Sequence, residues 1–375
     1  MAVTEVIRID PQQDCSKTIH RAVGLLRSGG LVAFPTETVY GVGARADLPE
    51  AVARLRQAKN RQDDKPFTVH IGRRSEVDRY VPVLEGAGRR LVEKGWPGPL
   101  TLIFSVDDPA SAPVMADLDR SVARMMYHQG TIGLRCPDEP TAAQLLTGVE
   151  APVVAASANP AGRPPPRNAD EVLAGLDGKV ELVIDAGPSR YAKASTVVRV
   201  NAQGYDVVRQ GVYDDRTVRR LASLNVLLVC TGNTCRSPMA TALLRRMIAE
   251  SLGVNQAELE DRGISVFSAG TFAGPGGRAS DQAVEVMRHR NIDISAHRSQ
   301  PLSTELVNQA DHVYVMTGPH RQAVLRMMPS AEARCRVLDE DEDIEDPMGQ
   351  PVEVYAACAC KIESALKERL TEVLA

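Results

Sequence analysis

Apolar positions along the 375 residues follow two rhythms: runs of strand length, and longer stretches with an apolar residue every three or four positions. The runs "GGLVAFPT", "PLTLIFSV", "GTIGLRCP", "APVVAAS", "VELVIDAG" and "STVVRV" occupy the first part. Amphipathic segments lie between them, a pattern that predicts an α/β fold. From residue 225 the alternation becomes strict. Strand "NVLLVC" leads to helix "SPMATALLRRMIAES", strand "ISVFSAG", helix "DQAVEVMRHR", strand "HVYVMT", helix "HRQAVLRMM", strand "CRVLD" and a long helix from about Val352. That order predicts a doubly wound parallel sheet with helices on both faces.

A charged, weakly apolar segment, "GVYDDRTVRRLAS" (211–223), separates the two patterns. It predicts a first domain at 1–213, a linker at 214–222 and a second domain at 223–375. Two domains also suit the length, at about 150 residues each. "GRPPPRN" (162–168) reads as a stiff loop, and no internal repeat is present.

Composition narrows the class. With 43% hydrophobic and 25% charged residues the chain is that of an ordinary globular protein. No run approaches the ~18 apolar residues of a membrane span, and "MAVTEVIRIDPQQD" lacks the basic-then-apolar layout of a signal peptide. The expectation is a soluble, cytoplasmic protein with no membrane partner. Seven cysteines, an odd number, point to reduced thiols. Their spacing gives no zinc pattern, so no metal site is predicted. Residues 1–214 carry 26 Lys+Arg against 26 Asp+Glu, and 215–375 carry 18 against 22. Neither half is basic enough to hold nucleic acid strongly by its backbone.

The most specific chemistry lies in "VCTGNTCRSPMA" (229–240). A loop from a strand into a helix N-terminus aims backbone N–H groups and the helix dipole at one point, which favours a thiolate at Cys230. Arg236, six residues on, returns to that point if the loop curls, and its planar fork matches two phosphoryl oxygens. Gly232 is expected to permit the tight backbone and Asn233 to adopt a left-handed conformation. Ser237-Pro238 opens the helix. The spacing alone is weak and also fits a buried cysteine at a strand end; the strand-loop-helix context makes it specific.

This loop resembles the active-site loop of the low-molecular-weight phosphotyrosine phosphatase family. The likeness extends over 224–375 through "FSAGT", "ADHVYVMT" and "DIEDPMG". It implies that Cys230 attacks phosphorus, that Arg236 stabilises the equatorial oxygens and that Asp346, before Pro347, protonates the leaving group and then acts as base. Thr234 and Met348-Gly349 stand where tyrosine-specific members carry a bulky aliphatic and aromatic residues. Those departures match the protein-arginine phosphatase branch, in which the threonine accommodates the phosphoguanidinium. A protein-tyrosine phosphatase is the alternative. Arsenate reduction would need two relay cysteines from Cys335, Cys358 and Cys360, and Cys358 and Cys360 point about 200° apart on a helix. In this family a second loop cysteine, here Cys235, can form a protective disulfide with the nucleophile.

The first half lacks the P-loop pattern of nucleoside triphosphatases. "GVGARA" (41–46) fits a dinucleotide fingerprint only nominally, since it does not open a helix. Hydroxyl and basic residues gather instead at strand ends: Thr36 and Thr38, Lys59, Arg61 and Lys65, Arg135, Ser157 and Asn159, Ser195 and Thr196. Together they suit a triphosphate and a small polar ligand. "GGLVAFPTETVYGVGA", "AKNRQDDKPF", "WPGPLTL", "TIGLRCPD", "SANPAG" and "ASTVVRV…VVRQG" resemble the YrdC-like threonylcarbamoyl-adenylate synthase family, from about 14 to 213.

That resemblance implies a twisted mixed sheet with a wide concave site. L-threonine and bicarbonate would form a carbamate that attacks the α-phosphorus of ATP with Mg²⁺ present, and the product would pass to a separate tRNA adenosine-37 threonylcarbamoyl transferase. Lys59, Arg61, Ser157 and Asn159 would face the phosphates and nucleotide. Thr36, His70, Arg135 and Ser195 would lie near the threonine, with Arg135 on its carboxylate, and Thr131 and Arg209 would line the substrate further. Ala194 stands where the family commonly has glutamate. The reading is thus a bifunctional enzyme acting on ATP and on a phosphorylated protein. Non-catalytic alternatives are a nucleotide- or double-stranded-RNA-binding first half and an inert phospho-binding second half. The joint presence of Cys230, Arg236 and Asp346 argues against the latter.

Overall fold

The computed structural model describes residues 3–10, 13–62, 66–116, 118–119, 122–201 and 204–374. The chain forms two compact units, Met1–Ala222 and Ser223–Ala375.

Among the described residues the first unit contains strands β1 (Glu5–Arg8), β2 (Val32–Phe34), β3 (Gly41–Arg45), β4 (Thr68–His70), β5 (Leu100–Ser105), β6 (Tyr127–His128), β7 (Thr131–Arg135), β8 (Val153–Ser157), β9 (Leu182–Asp185), β10 (Thr196–Asn201) and β11 (Gly204–Arg209). They form one sheet in the order β1-β9-β2-β3-β8-β4-β7-β5-β10-β11, with β6 on β7. Pairing is mixed: β1 and β2 run parallel to β9, whereas β3 and β8 are antiparallel. Side chains alternate across the sheet, as the strand period requires. Leu31 and Ala33 enter one core, while Val32 and Phe34 enter the other with Ile19, Leu26 and Leu145 of helices Ser16–Arg27 and Pro140–Val149. "GVGARA" is largely strand β3 in the middle of this sheet, not a strand-to-helix loop.

Residues 214–222 are not a free linker. Asp215–Ala222 is a helix whose Val218 and Ala222 are buried in the first unit's core, with Leu221 packed against it. Arg90 Nε donates to the Ala222 carbonyl at 2.6 Å. Three apolar positions at 218, 221 and 222 make one continuous helical face, enough to dock a segment whose overall composition is charged.

The second unit holds β12 (Leu224–Cys230), β13 (Ile264–Gly270), β14 (His312–Val315) and β15 (Cys335–Val337) in the order β13-β12-β14-β15. All pairs are parallel. Val226, Leu228 and Cys230 face one core, and Leu227 and Val229 the opposite one. Helices Arg236–Leu252 and Val352–Leu374 pack over the first of these faces through Leu243, Leu244, Tyr355 and Ile362. Because β13 and β14 lie on opposite sides of β12, the carboxyl end of β12 is the point where the winding reverses, where a crevice opens in such sheets. Among the described residues no helix is long and apolar enough to cross a membrane.

Two candidate active sites

The first unit contains a cleft of about 810 Å³. Thr36, Arg61, His70, Thr131, Arg135, Ser157, Ser195 and Arg209 all line it. Strand ends bring them together: Arg135 closes β7, His70 closes β4, Ser157 closes β8, and Ser195 directly precedes β10. Lys65 lies outside the described residues.

Arg135 is buried. One terminal nitrogen donates to Glu37 Oε1 at 3.1 Å, to Thr36 Oγ1 at 3.3 Å and to Thr38 Oγ1. Its Nε has no partner, and neither has Glu37 Oε2. A buried guanidinium only partly satisfied by protein can take a further carboxylate. His70 Nδ1 lies 3.1 Å from the Thr68 carbonyl, so that nitrogen carries the proton and Nε2 is left as an acceptor. Burial, reinforced by the Arg135 charge, pushes the His70 pKa down to about 3, against the pull of the Thr68 carbonyl. The imidazole is therefore neutral across the physiological range.

Lys59 and Asn159 are not part of the lining; they sit beneath it. Lys59 Nζ donates to the Ser157 carbonyl at 2.5 Å and the Asn159 carbonyl at 2.7 Å, while Ala161 N returns a bond to Lys59 O at 2.7 Å. The two signature segments are thereby tied together, with one ammonium proton to spare. Burial, and next the charge of Arg61, lower the Lys59 pKa to about 8. Ser195 Oγ lies 2.9 Å from Thr101 Oγ1, and Arg209 donates to the Ser195 carbonyl at 2.9 Å. Thr131 Oγ1 donates to the His128 carbonyl at 2.8 Å. Thr196 fixes the returning chain by donating to Tyr213 O at 2.8 Å and accepting from Gly211 N at 3.1 Å. A Cβ on Gly211 would lie 2.3 Å from the Ala194 carbonyl oxygen, so only glycine allows this approach.

In the second unit Cys230 ends β12, buried at the mouth of helix Arg236–Leu252. Its sulfur lies 3.0 Å from Ser237 Oγ and accepts from Asn233 N at 3.3 Å. Asn233 has φ +53° and is fully buried. Its side chain donates to Ser237 Oγ at 2.9 Å and Ser268 Oγ at 2.8 Å, and accepts from Gln300 N at 2.9 Å. Its carbonyl accepts from His297 Nε2 at 2.7 Å. Gly232 differs from the expectation. Its φ is not positive, and a Cβ there would meet only Thr234 Oγ1 at 3.5 Å and Met348 Cε at 3.8 Å. The backbone does not demand glycine at 232; the turn is made by Asn233. Gly270 is the glycine that the loop requires, since a Cβ there would lie 2.4 Å from the Thr231 carbonyl oxygen.

Arg236 is buried and turned into the loop. Nη1 donates to the Ile344 carbonyl at 3.0 Å, and Nη2 to Thr231 Oγ1 at 3.1 Å and to the carboxylate of Asp346. Its Nε has no partner. Cys230, Ser237, Asn233, Arg236 and Asp346 thus converge, with Thr234 and Met348 at the rim. Cys235 points to Ser280 Oγ at 3.4 Å and Tyr355 OH at 3.5 Å. Cys358 faces the Glu345 carbonyl at 3.8 Å, whereas Cys360 accepts from Arg290 at 3.0 Å. The latter two have separate partners, a poor arrangement for a disulfide relay.

Several contributors escaped the sequence reading: Glu37 and Thr101 in the first unit, and Thr231, Ser268, His297 and His320 in the second. Each is a single polar residue with no motif of its own to mark it. Which distant loop each would meet was not written there.

The family model described as telomere recombination, Sua5/YciO/YrdC, matches residues 24–211. The model described as low molecular weight phosphotyrosine protein phosphatase matches residues 225–375. The threonylcarbamoyl-AMP synthase of Bacillus subtilis is 37% identical over 190 residues, 50% of this chain and 50% of that protein. A protein-arginine-phosphatase of Geobacillus stearothermophilus is 39% identical over 154 residues, 40% of this chain and 95% of that one. The solved structure of a doubly substituted Sua5 from P. abyssi superimposes with a TM-score of 0.51 at 25% identity, covering 77% of this chain and 89% of that chain. The chain spans about half the length of the synthases of B. subtilis and P. abyssi that it matches.

Proposed function

Because the chain belongs to the Sua5/YciO/YrdC family and continues into a low-molecular-weight phosphatase domain, we propose that it is a bifunctional enzyme. The first activity is synthesis of L-threonylcarbamoyl-AMP from L-threonine, bicarbonate and ATP. The observation that carries it is the partly satisfied Arg135 facing a neutral acceptor, His70, in a cleft that also holds Arg61 and Arg209. The threonine carboxylate would take the guanidinium of Arg135, and His70 Nε2 would accept an N–H of the amine or carbamate. Threonine nitrogen and bicarbonate combine with loss of water; a carbamate oxygen then attacks the α-phosphorus and pyrophosphate leaves. Arg61 and Arg209, with the ammonium of Lys59 beneath Ser157, offset the growing phosphate charge. No described carboxylate lines the cleft, so Mg²⁺ would enter on the triphosphate rather than in a protein cage. The expected assay result is pyrophosphate release that needs ATP, threonine and bicarbonate together and is lost in Lys59→Ala and Arg135→Ala. Nucleotide binding without turnover would instead favour a binding module. The threonylcarbamoyl group is destined for tRNA through a separate transferase.

The second activity is phosphate removal from protein phosphoarginine. Its support is the orphaned, buried Nε of Arg236 at the far end of the loop that starts at Cys230. Cys230 sulfur would form the bond to phosphorus as the P–N bond breaks, and Asp346 would deliver a proton to the leaving guanidine nitrogen. Water, deprotonated by Asp346, then releases phosphate from the cysteine. Thr234 and Met348 stand at the places where tyrosine-specific members carry a bulky aliphatic and an aromatic residue, which favours phosphoarginine over phosphotyrosine. Matched phosphoarginine and phosphotyrosine peptides, with Cys230→Ser as blank, decide the matter. Preference for phosphoarginine that collapses in Thr234→Ile supports this reading, and preference for phosphotyrosine refutes it.

A further inference from the structure

We propose that His320 is a positioning residue for the second activity: through the Thr231 hydroxyl it fixes the orientation of the Arg236 guanidinium. The inference rests on the phosphatase reading of that unit. Arg236 is held at three places, the Ile344 carbonyl, Thr231 Oγ1 and Asp346. Asp346 is 40% exposed and must swing to the leaving group during turnover, so it cannot keep the guanidinium in place throughout. Ile344 and Thr231 then hold the plane.

A threonine hydroxyl is a rotor and serves Arg236 only while its lone pair, not its proton, faces the guanidinium. His320 Nε2 lies 2.9 Å from Thr231 Oγ1, placed to take that proton. His320 Nδ1 is 2.7 Å from Thr317 Oγ1, the cap of helix Gly318–Met327. In the proposed relay the bonds run in one direction: Arg236 N–H to Thr231, Thr231 O–H to His320 Nε2, His320 Nδ1–H to Thr317. That order requires a neutral imidazole. Burial, and then the Arg236 charge, push the His320 pKa down to about 4 in spite of Asp346 and Asp343. A protonated His320 would turn Nε2–H toward Thr231 and reverse the link.

The test uses the full chain with p-nitrophenyl phosphate as substrate, and orthovanadate and inorganic phosphate as inhibitors. His320→Ala and Thr231→Val should each lower kcat about tenfold with KM within about twofold, because the lost orientation matters most when charge spreads over the equatorial oxygens. Vanadate, which adopts the trigonal-bipyramidal geometry, should lose affinity in step with kcat, and phosphate should not. The double variant should be no worse than the poorer single one, since both break one link. His320→Gln, whose Oε1 can accept the Thr231 proton, should recover most of the loss. The proposal is overturned if His320→Ala lowers only the melting temperature, if the two effects multiply, or if Gln is no better than Ala. Wild-type protein showing neither Cys230-dependent hydrolysis nor vanadate inhibition would remove the phosphatase reading, and the relay with it.

Discussion

Asn233 should be the most consequential non-reacting residue of the cysteine loop. Asn233→Ala removes three buried side-chain hydrogen bonds, to Ser237, Ser268 and Gln300. At about 1 kcal/mol net each, that is about 3 kcal/mol. Alanine at a φ of +53° adds about 1 kcal/mol of backbone strain that asparagine largely escapes. The sum, about 4 kcal/mol, corresponds to a fall of about 10 °C in the transition of a unit of this size. Asn233→Gly separates the parts: it loses the same bonds without the strain and should lie about 1 kcal/mol above Ala. Calorimetry on the whole chain can assign the transition, because inorganic phosphate should raise only the one belonging to the unit that carries the loop. Hydrolysis of p-nitrophenyl phosphate should fall in both variants, since Asn233 N–H no longer points reliably at Cys230. A phosphate-sensitive transition within about 2 °C of wild type in Asn233→Ala would refute the reasoning, because it would mean the network contributes under about 1 kcal/mol.

Three further outcomes follow from the cleft. ATP binding, measured by calorimetry without threonine, should weaken as pH rises above the Lys59 pKa of about 8, by at most about tenfold per pH unit. The ammonium is present below that value and lost as pH rises, while His70 is already neutral and the arginines stay charged; Lys59→Met should flatten the profile. Gly211→Ala should destabilise the first unit by several kcal/mol, on the order of 3, because its Cβ would lie 2.3 Å from backbone atoms at Ala194 and Ser195. Urea unfolding followed by the fluorescence of Trp96 reads that unit. Arg135→Lys should raise KM for threonine at least about tenfold with little change for ATP, since lysine cannot hold a carboxylate through two parallel bonds; steady-state pyrophosphate release checks it.

The phosphatase loop was legible because its parts are contiguous. One strand, one turn and one helix start within twelve residues bring Cys230, Asn233, Ser237 and Arg236 together by local geometry. The regular alternation after residue 225 likewise announced the parallel sheet, since each run there is long enough to carry a pattern. In the first unit some strands escaped the apolar pattern. β3, β4 and β6 span two to five residues and contain glycine, histidine or arginine, too short or too polar for periodicity to register. The helix at Asp215–Ala222 was missed because a charged composition concealed three apolar positions on one face.

By itself, then, the amino-acid sequence determined the α/β class of both halves, the local frame of the cysteine loop and the set of polar residues at strand ends. Only the tertiary structure decided which of those residues meet. Arg135 reaches Glu37 and Thr38 across 98 and 97 positions, Lys59 reaches Ser157 across 98, and His320 reaches Thr231 across 89. Such contacts depend on strand order and on which way a side chain turns from its strand end. Those are set by packing the whole sheet, a property of all its residues at once and not of any short segment.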